Sequence, residues 1–143
     1  MKLDRRKFLN VLLGLGGIGG IFAIFYPLLS FLVPPKTTEP IVNSVKAGLS
    51  NKFPANSSKI IKFGRKPVIL IKTEDNHYKA FSATCTHLDC IVQYKDDTKQ
   101  IWCACHNGIY DLSGRNVSGP PPRPLDVYDV KIVKEEIIIT NVG

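Results

Sequence analysis

The chain is short of several things at once, and each shortage narrows what it does. At 143 residues it has room for one small domain and an anchor, not for two substantial cores. A formal net charge of +7 would suit a polyanionic partner, but no basic stripe with interleaved aromatics runs along it, which argues against nucleic acid. Part of that excess is local: Lys2, Arg5, Arg6 and Lys7 outweigh Asp4 at the start, and the rest is scattered lysine. No long segment after residue 41 carries a helical apolar period, which removes a helical bundle from consideration. From Phe8 to Val33 there is no charged residue at all.

That charge-free stretch is the first positive feature. Val11 to Val33 alone would make a helix of about 34 Å at 1.5 Å per residue, enough to cross a bilayer core. A cleavable signal would have a shorter apolar region ending in an Ala-x-Ala site, and neither occurs before Pro34, so the segment is expected to stay as an anchor. Gly14, Gly16, Gly17, Gly19 and Gly20 weaken a helix in water but let helices pack closely in lipid. The basic start predicts a cytoplasmic N-terminus with the remainder outside. Asp4-Arg5-Arg6-Lys7-Phe8-Leu9-Asn10 resembles a twin-arginine export signal, a route that carries folded proteins and therefore suits a chain folded around a metal group. Beyond the anchor, Pro34-Pro35-Lys36-Thr37-Thr38-Glu39-Pro40 reads as a semi-rigid linker. The expected division is thus 1–33 signal and anchor, 34–40 linker, 41–143 head.

The head reads as short strands separated by turn residues: Lys59–Phe63, Val68–Lys72, Tyr78–Ser82, Ile91–Tyr94, Gln100–Trp102, Val127–Val133 and Ile137–Thr140. Such spacing predicts an all-β, antiparallel sandwich or barrel. Gly119-Pro120-Pro121-Pro122-Arg123-Pro124 cannot sit inside a sheet and must be a connection.

All the cysteines and two of the histidines fall in two short boxes, Cys85-Thr86-His87-Leu88-Asp89-Cys90 and Cys103-Ala104-Cys105-His106-Asn107-Gly108. Core packing has no reason to gather soft ligands this way, so a metal centre is indicated. Two cysteines and two histidines could hold one zinc ion, which would make the head a membrane-tethered binding module. Cys-x-His is an unusually tight offset for a zinc finger, and a second cysteine pair is left over. His77 stands apart from any cysteine and reads as a turn or surface residue.

The paired boxes resemble those of the Rieske 2Fe-2S proteins, in which cysteines hold one iron and histidines the other. That resemblance implies one 2Fe-2S cluster with Cys85 and Cys103 as thiolate ligands and His87 and His106 as imidazole ligands. It implies a Cys90–Cys105 disulfide joining the boxes, a pairing found in the quinol-oxidising members, and an oxidising compartment permits it. It implies a proline loop at 119–124 covering the cluster, and a cluster-binding subdomain set on a β base. The function implied is that of the Rieske subunit of a bacterial bc- or bf-type quinol:cytochrome c oxidoreductase, an enzyme complex. Its partners would be a cytochrome b subunit, a c-type cytochrome and quinol, with the head on the extracytoplasmic side of the cytoplasmic membrane. A Rieske small subunit of an arsenite-oxidase-type molybdoenzyme would share many of these features.

Chemistry explains the ligand set. Two thiolates leave the oxidised cluster neutral and the reduced one singly negative, whereas four would take it from two to three negative charges, so histidine ligation raises the potential. An imidazole ligand that presents its outer ring nitrogen to solvent can take up a proton as the electron arrives, which gives His87 and His106 a catalytic role. Within the family, a serine and a tyrosine after the second histidine donate to cluster sulfurs. Here Tyr110 is present and Gly108 stands at the serine position, predicting a low potential suited to menaquinol. Leu88 would be the apolar docking tip.

Overall fold

The computed structural model describes residues 4–33 and 42–142. The expected linker at 34–40 lies outside the described residues. The chain divides at that point into an N-terminal unit and a β head.

The N-terminal unit is one helix, α1 (Arg5–Leu32), with none of its residues buried. Asp4 caps it, its carboxylate accepting from the Arg6 N–H at 3.3 Å, which satisfies one of the orphan donors of the first turn. The helix therefore starts before the charge-free stretch and includes both arginines. Pro27 lies inside it and removes one backbone donor, a loss that membrane helices tolerate. Apolar side chains point outward all round, from Phe8 to Leu32, and mean hydropathy reaches 2.1. Such a surface has no partner in water, and the helix is long and apolar enough to anchor the chain in a membrane.

Among its described residues the head has ten strands: β1 (Ser44–Leu49), β2 (Ser57–Phe63), β3 (Lys66–Lys72), β4 (Tyr78–Ser82), β5 (Gln93–Lys95), β6 (Gln100–Cys103), β7 (Gly108–Tyr110), β8 (Asn116–Ser118), β9 (Val127–Val133) and β10 (Glu136–Asn141). They form a six-stranded sheet in the order β1-β10-β9-β4-β3-β2 and a four-stranded sheet in the order β5-β6-β7-β8. Every pairing is antiparallel, as the strand spacing predicted. β3 joins the two layers. Its apolar run is buried on both faces: Val68 and Leu70 pack with Ala47, Ile61, Phe63, Tyr128, Ile137 and Ile139 inside the larger sheet. Ile69 and Ile71 face the other way, into a core shared with the smaller sheet. Each such side chain contributes about 1.5–3 kcal/mol when fully buried.

That second core contains Phe81, Ala83, Val92, Ile101, Tyr110 and Leu125, and with them Cys85 and Cys103. The smaller sheet is thus the cluster-box subdomain, fastened to the base through apolar packing. The expected strand Ile91–Tyr94 is corrected here. Ile91 makes only an isolated bridge to Thr84, Val92 turns into the core, and pairing with β6 begins at Gln93.

Candidate metal centre

Both boxes are tight loops at the ends of β pairings. In the first, the Thr84 to Ile91 bridge is followed by Cys85 N–H donating to the Cys90 carbonyl at 2.8 Å and Asp89 N–H donating to the Cys85 carbonyl at 3.1 Å. Closing so short a loop needs a left-handed residue, and Asp89 supplies it at φ 56°, a conformation that aspartate tolerates better than most residues. The second box joins β6 to β7, with Cys103 opposite Gly108. Asn107 takes the left-handed position at φ 55°, and its side-chain carbonyl accepts from the Trp102 indole at 2.7 Å. The Cys90–Cys105 disulfide, with Cα atoms 6.6 Å apart, ties one box to the other.

Cys85 and Cys103 remain free thiols, and both are buried. The His87 and His106 rings meet edge to face with centroids 4.8 Å apart. His87 Nδ1 is buried and has no hydrogen-bond partner, the state expected of a nitrogen whose partner is a metal rather than a protein group. Among the described residues, the candidate ligand atoms that gather within 4.8 Å of one another belong to Cys90, Cys103 and Cys105. Neither histidine belongs to that group.

Tyr110 is fully buried beneath the first box. Its hydroxyl lies 3.3 Å from Cys85 Sγ and accepts from the Thr86 N–H at 3.1 Å. Thr86 Oγ1, 3.1 Å from the same hydroxyl, donates its own hydrogen to the Arg123 carbonyl at 2.7 Å. The tyrosine proton is therefore free to go to the Cys85 sulfur when that sulfur is a thiolate. The charges agree. Burial raises the Cys85 thiol, but the Tyr110 hydroxyl, the His87 and Leu88 backbone and the Cys103 thiol outweigh it, and its pKa falls below the ordinary value. Burial and the neighbouring Cys85 push Cys103 up and likewise Tyr110, which keeps its proton.

Gly108 is closed over by the proline loop. A Cβ built on it would lie 2.6 Å from Pro121 Cγ, closer than carbon atoms approach, and 3.0 Å from Cδ, tighter than most contacts. Pro121 is itself buried, and Asn116 Nδ2 holds its carbonyl at 2.7 Å. Gly119, at φ 88°, packs as closely on the Asn107 carbonyl. The loop thus sits against the second box and reaches the first through Thr86. Leu88 stands 64% exposed at the tip, and His106 is exposed while His87 is half-buried. Thr86, Pro121 and Asn116 were not singled out in the sequence. Thr86 lies inside a box and Pro121 inside the proline run, but their contacts need the fold, and nothing nearby marks Asn116.

Comparison with known proteins agrees with this geometry. The profile of the Rieske [2Fe-2S] domain matches residues 43–129. The chain is 35% identical over 140 residues to the cytochrome b6-f complex iron-sulfur subunit of Chlorobaculum thiosulfatiphilum, covering 96% of this chain and 76% of the relative. The corresponding subunit of Chlorobaculum tepidum is also 35% identical, over 139 residues, covering 96% and 75%. Among solved structures, the plasma membrane Rieske protein of the cyanobacterium Synechocystis PCC 6803 shares the fold with a TM-score of 0.62 at 24% identity, over 67% of this chain and 98% of that one. A chain of a hyperthermophilic respiratory Complex III does so with a TM-score of 0.55 at 24% identity, over 88% and 96%.

Proposed function

From the premise that this chain belongs to the Rieske [2Fe-2S] domain family, we propose that it is the iron-sulfur subunit of a bc- or b6f-type complex, carrying electrons from quinol to a c-type cytochrome. One Rieske cluster is its cofactor, and when bound it supplies a one-electron acceptor of raised potential. The observation that carries the ligand reading is His87 Nδ1, buried and unpartnered, beside a second imidazole and two buried free thiols.

In this reading Cys85 and Cys103 hold one iron, and His87 and His106 hold the other. The orphaned Nδ1 is the ligating nitrogen of His87, which leaves Nε2 as the proton-carrying atom. His106, the more exposed of the pair, meets the quinol and moves the proton through its outer nitrogen. Tyr110 steadies the charge on Cys85 Sγ by donating to it, and Thr86 keeps the hydroxyl aimed. Leu88 is the apolar contact against a cytochrome b partner. Residues 34–40 act as the hinge between the anchor and the head at 41–143. The basic start supports insertion with the head on the extracytoplasmic face of the bacterial cytoplasmic membrane. Gly108, in place of a serine donor, suits a low-potential donor pool such as menaquinol.

Iron and acid-labile sulfide analysis tests the reading. Two of each per chain are expected, with loss of both in Cys85→Ser, Cys103→Ser, His87→Ala and His106→Ala. A chain that takes up zinc and no iron when made with cluster-assembly machinery overturns it.

A further inference from the structure

We propose that Cys90, Cys103 and Cys105 form a second, soft-metal site that opens when the disulfide is reduced. Their sulfur atoms already lie within 4.8 Å of one another. A zinc ion with bonds of about 2.3 Å to sulfur holds its thiolates about 3.8 Å apart. Reduction by a two-electron donor such as a phosphine or a dithiol breaks the Cys90–Cys105 bond and leaves a thiol on each residue. The two sulfurs then separate to non-bonded contact, which is close to the spacing the ion requires, while Cys103 has about an ångström to travel.

The backbone holds these sulfurs where they are. Cys103 ends β6 opposite Gly108. The Cys90 carbonyl is held by the Cys85 N–H, and Cys105 sits in the loop that Asn107 and Trp102 brace. Exposure is graded from Cys103, buried, through Cys90, half-buried, to Cys105, exposed, so an ion has an open way in. Three thiolates in a compact group favour thiophilic ions: zinc, cadmium or copper(I). Cys85, His87 and His106 are not members of this group.

The two sites share Cys103. In a reducing compartment all four thiols are free, and an ion bound to the second site withholds Cys103 from the cluster. On the export route the sequence suggests, the cluster is assembled first, and closing the disulfide in the oxidising compartment then takes two of the three thiolates away, so that a soft ion cannot draw Cys103 out of the cluster set. The disulfide is then a selectivity device as well as a tie between loops. This last consequence rests on Cys103 being a cluster ligand, whereas the soft-metal site does not.

The test uses the full-length chain in detergent, made without cluster and titrated anaerobically with cadmium before and after reduction by a phosphine. In Cys85→Ser, which breaks the cluster set, one cadmium per reduced chain is expected, with an ultraviolet thiolate-to-metal band of three-sulfur strength, and none per oxidised chain. Cys90→Ser and Cys105→Ser should each weaken binding by at least the roughly 10- to 100-fold that loss of a mere outer-shell partner costs. Cys85→Ser should keep the stoichiometry. Cadmium that stays bound to Cys85→Ser after the disulfide is closed, or that needs Cys85 in the reduced chain, uses other ligands and overturns the proposal. A reduced chain that binds none, through unfolding or separation of the sulfurs, overturns it equally. Iron and sulfide content of separately loaded protein reports on the cluster reading, so the two can fail apart.

Discussion

Installing a serine at position 108 should set two effects of similar size against each other. Its hydroxyl would donate to cluster sulfur, which favours the more negative reduced state. At about 1.5–3 kcal/mol for a bond to a charged group and 59 mV per tenfold change for one electron, the gain is roughly 65–130 mV. But the new Cβ would stand 2.6 Å from Pro121 Cγ, about an ångström inside normal carbon contact. Pro121 gives way only at a cost, because it is buried and Asn116 holds its carbonyl. Overpacking of this kind costs about 1–3 kcal/mol. Gly108→Ser alone should therefore lower the melting temperature, displace the proline loop and give less than the full rise. Pro121→Ala deletes both colliding ring atoms, after which the nearest atom is Cys103 Cβ at 3.7 Å, an ordinary contact. The double variant should recover the full rise. Midpoints come from redox titration of the loaded protein, and a crystal structure of Gly108→Ser locates the loop. Substitutions that add to within about 20 mV, the scatter of independent sites, or a full rise with the loop unmoved, would refute the coupling.

Tyr110→Phe removes the donor 3.3 Å from Cys85 Sγ and should lower the midpoint by roughly 65–130 mV on the same scale; an unchanged midpoint with an intact cluster means the hydroxyl does not act on that sulfur. Asp111 accepts from Ser113 N–H and Oγ and from Arg115 N–H. Burial opposes its ionisation, but these bonds outweigh it and lower its pKa. A depressed folded pKa gives stability that is present above the ordinary aspartate value of about 3.9 and is lost as pH falls through the lower folded value. Asp111→Asn should flatten that acid limb in thermal unfolding; an identical limb refutes the assignment. Arg5→Lys with Arg6→Lys keeps the charge but not the guanidinium forks, and should strand the folded head on the cytoplasmic side in a protease-protection assay. Normal assembly would assign export to another route.

The parts of the fold that could be read from the sequence are those whose side chains alternate against a core. Tyr78–Ser82 and Val127–Val133 appear with the bounds expected. β1 escaped notice because Ala47 is its single buried residue and a bulge interrupts its pairing between Lys46 and Gly48. β7 and β8 are three residues each, too short for any period to show. The two candidate boxes were legible because their residue types are rare and their offsets tight. The contact of Pro121 with Gly108 was not, since it joins segments that only the fold brings together and its signature is a missing side chain. Nor did the first box, read as a ligand motif, mark Asp89 as the residue that carries the left-handed turn closing its loop.

Cys85 and Cys103 belong to the same close-packed core as Ile69, Ile71 and Tyr110. For an electron carrier this bears on rate as well as on stability. Interiors packed to crystal-like density resist displacement, so on the proposed ligation a change of oxidation state finds its sulfur ligands unable to relax far. Close packing around those two sulfurs then works to lower the reorganisation that each electron hop requires. β3, whose side chains enter both cores, ties the sulfur ligands of that reading to the larger sheet as well as to the smaller one.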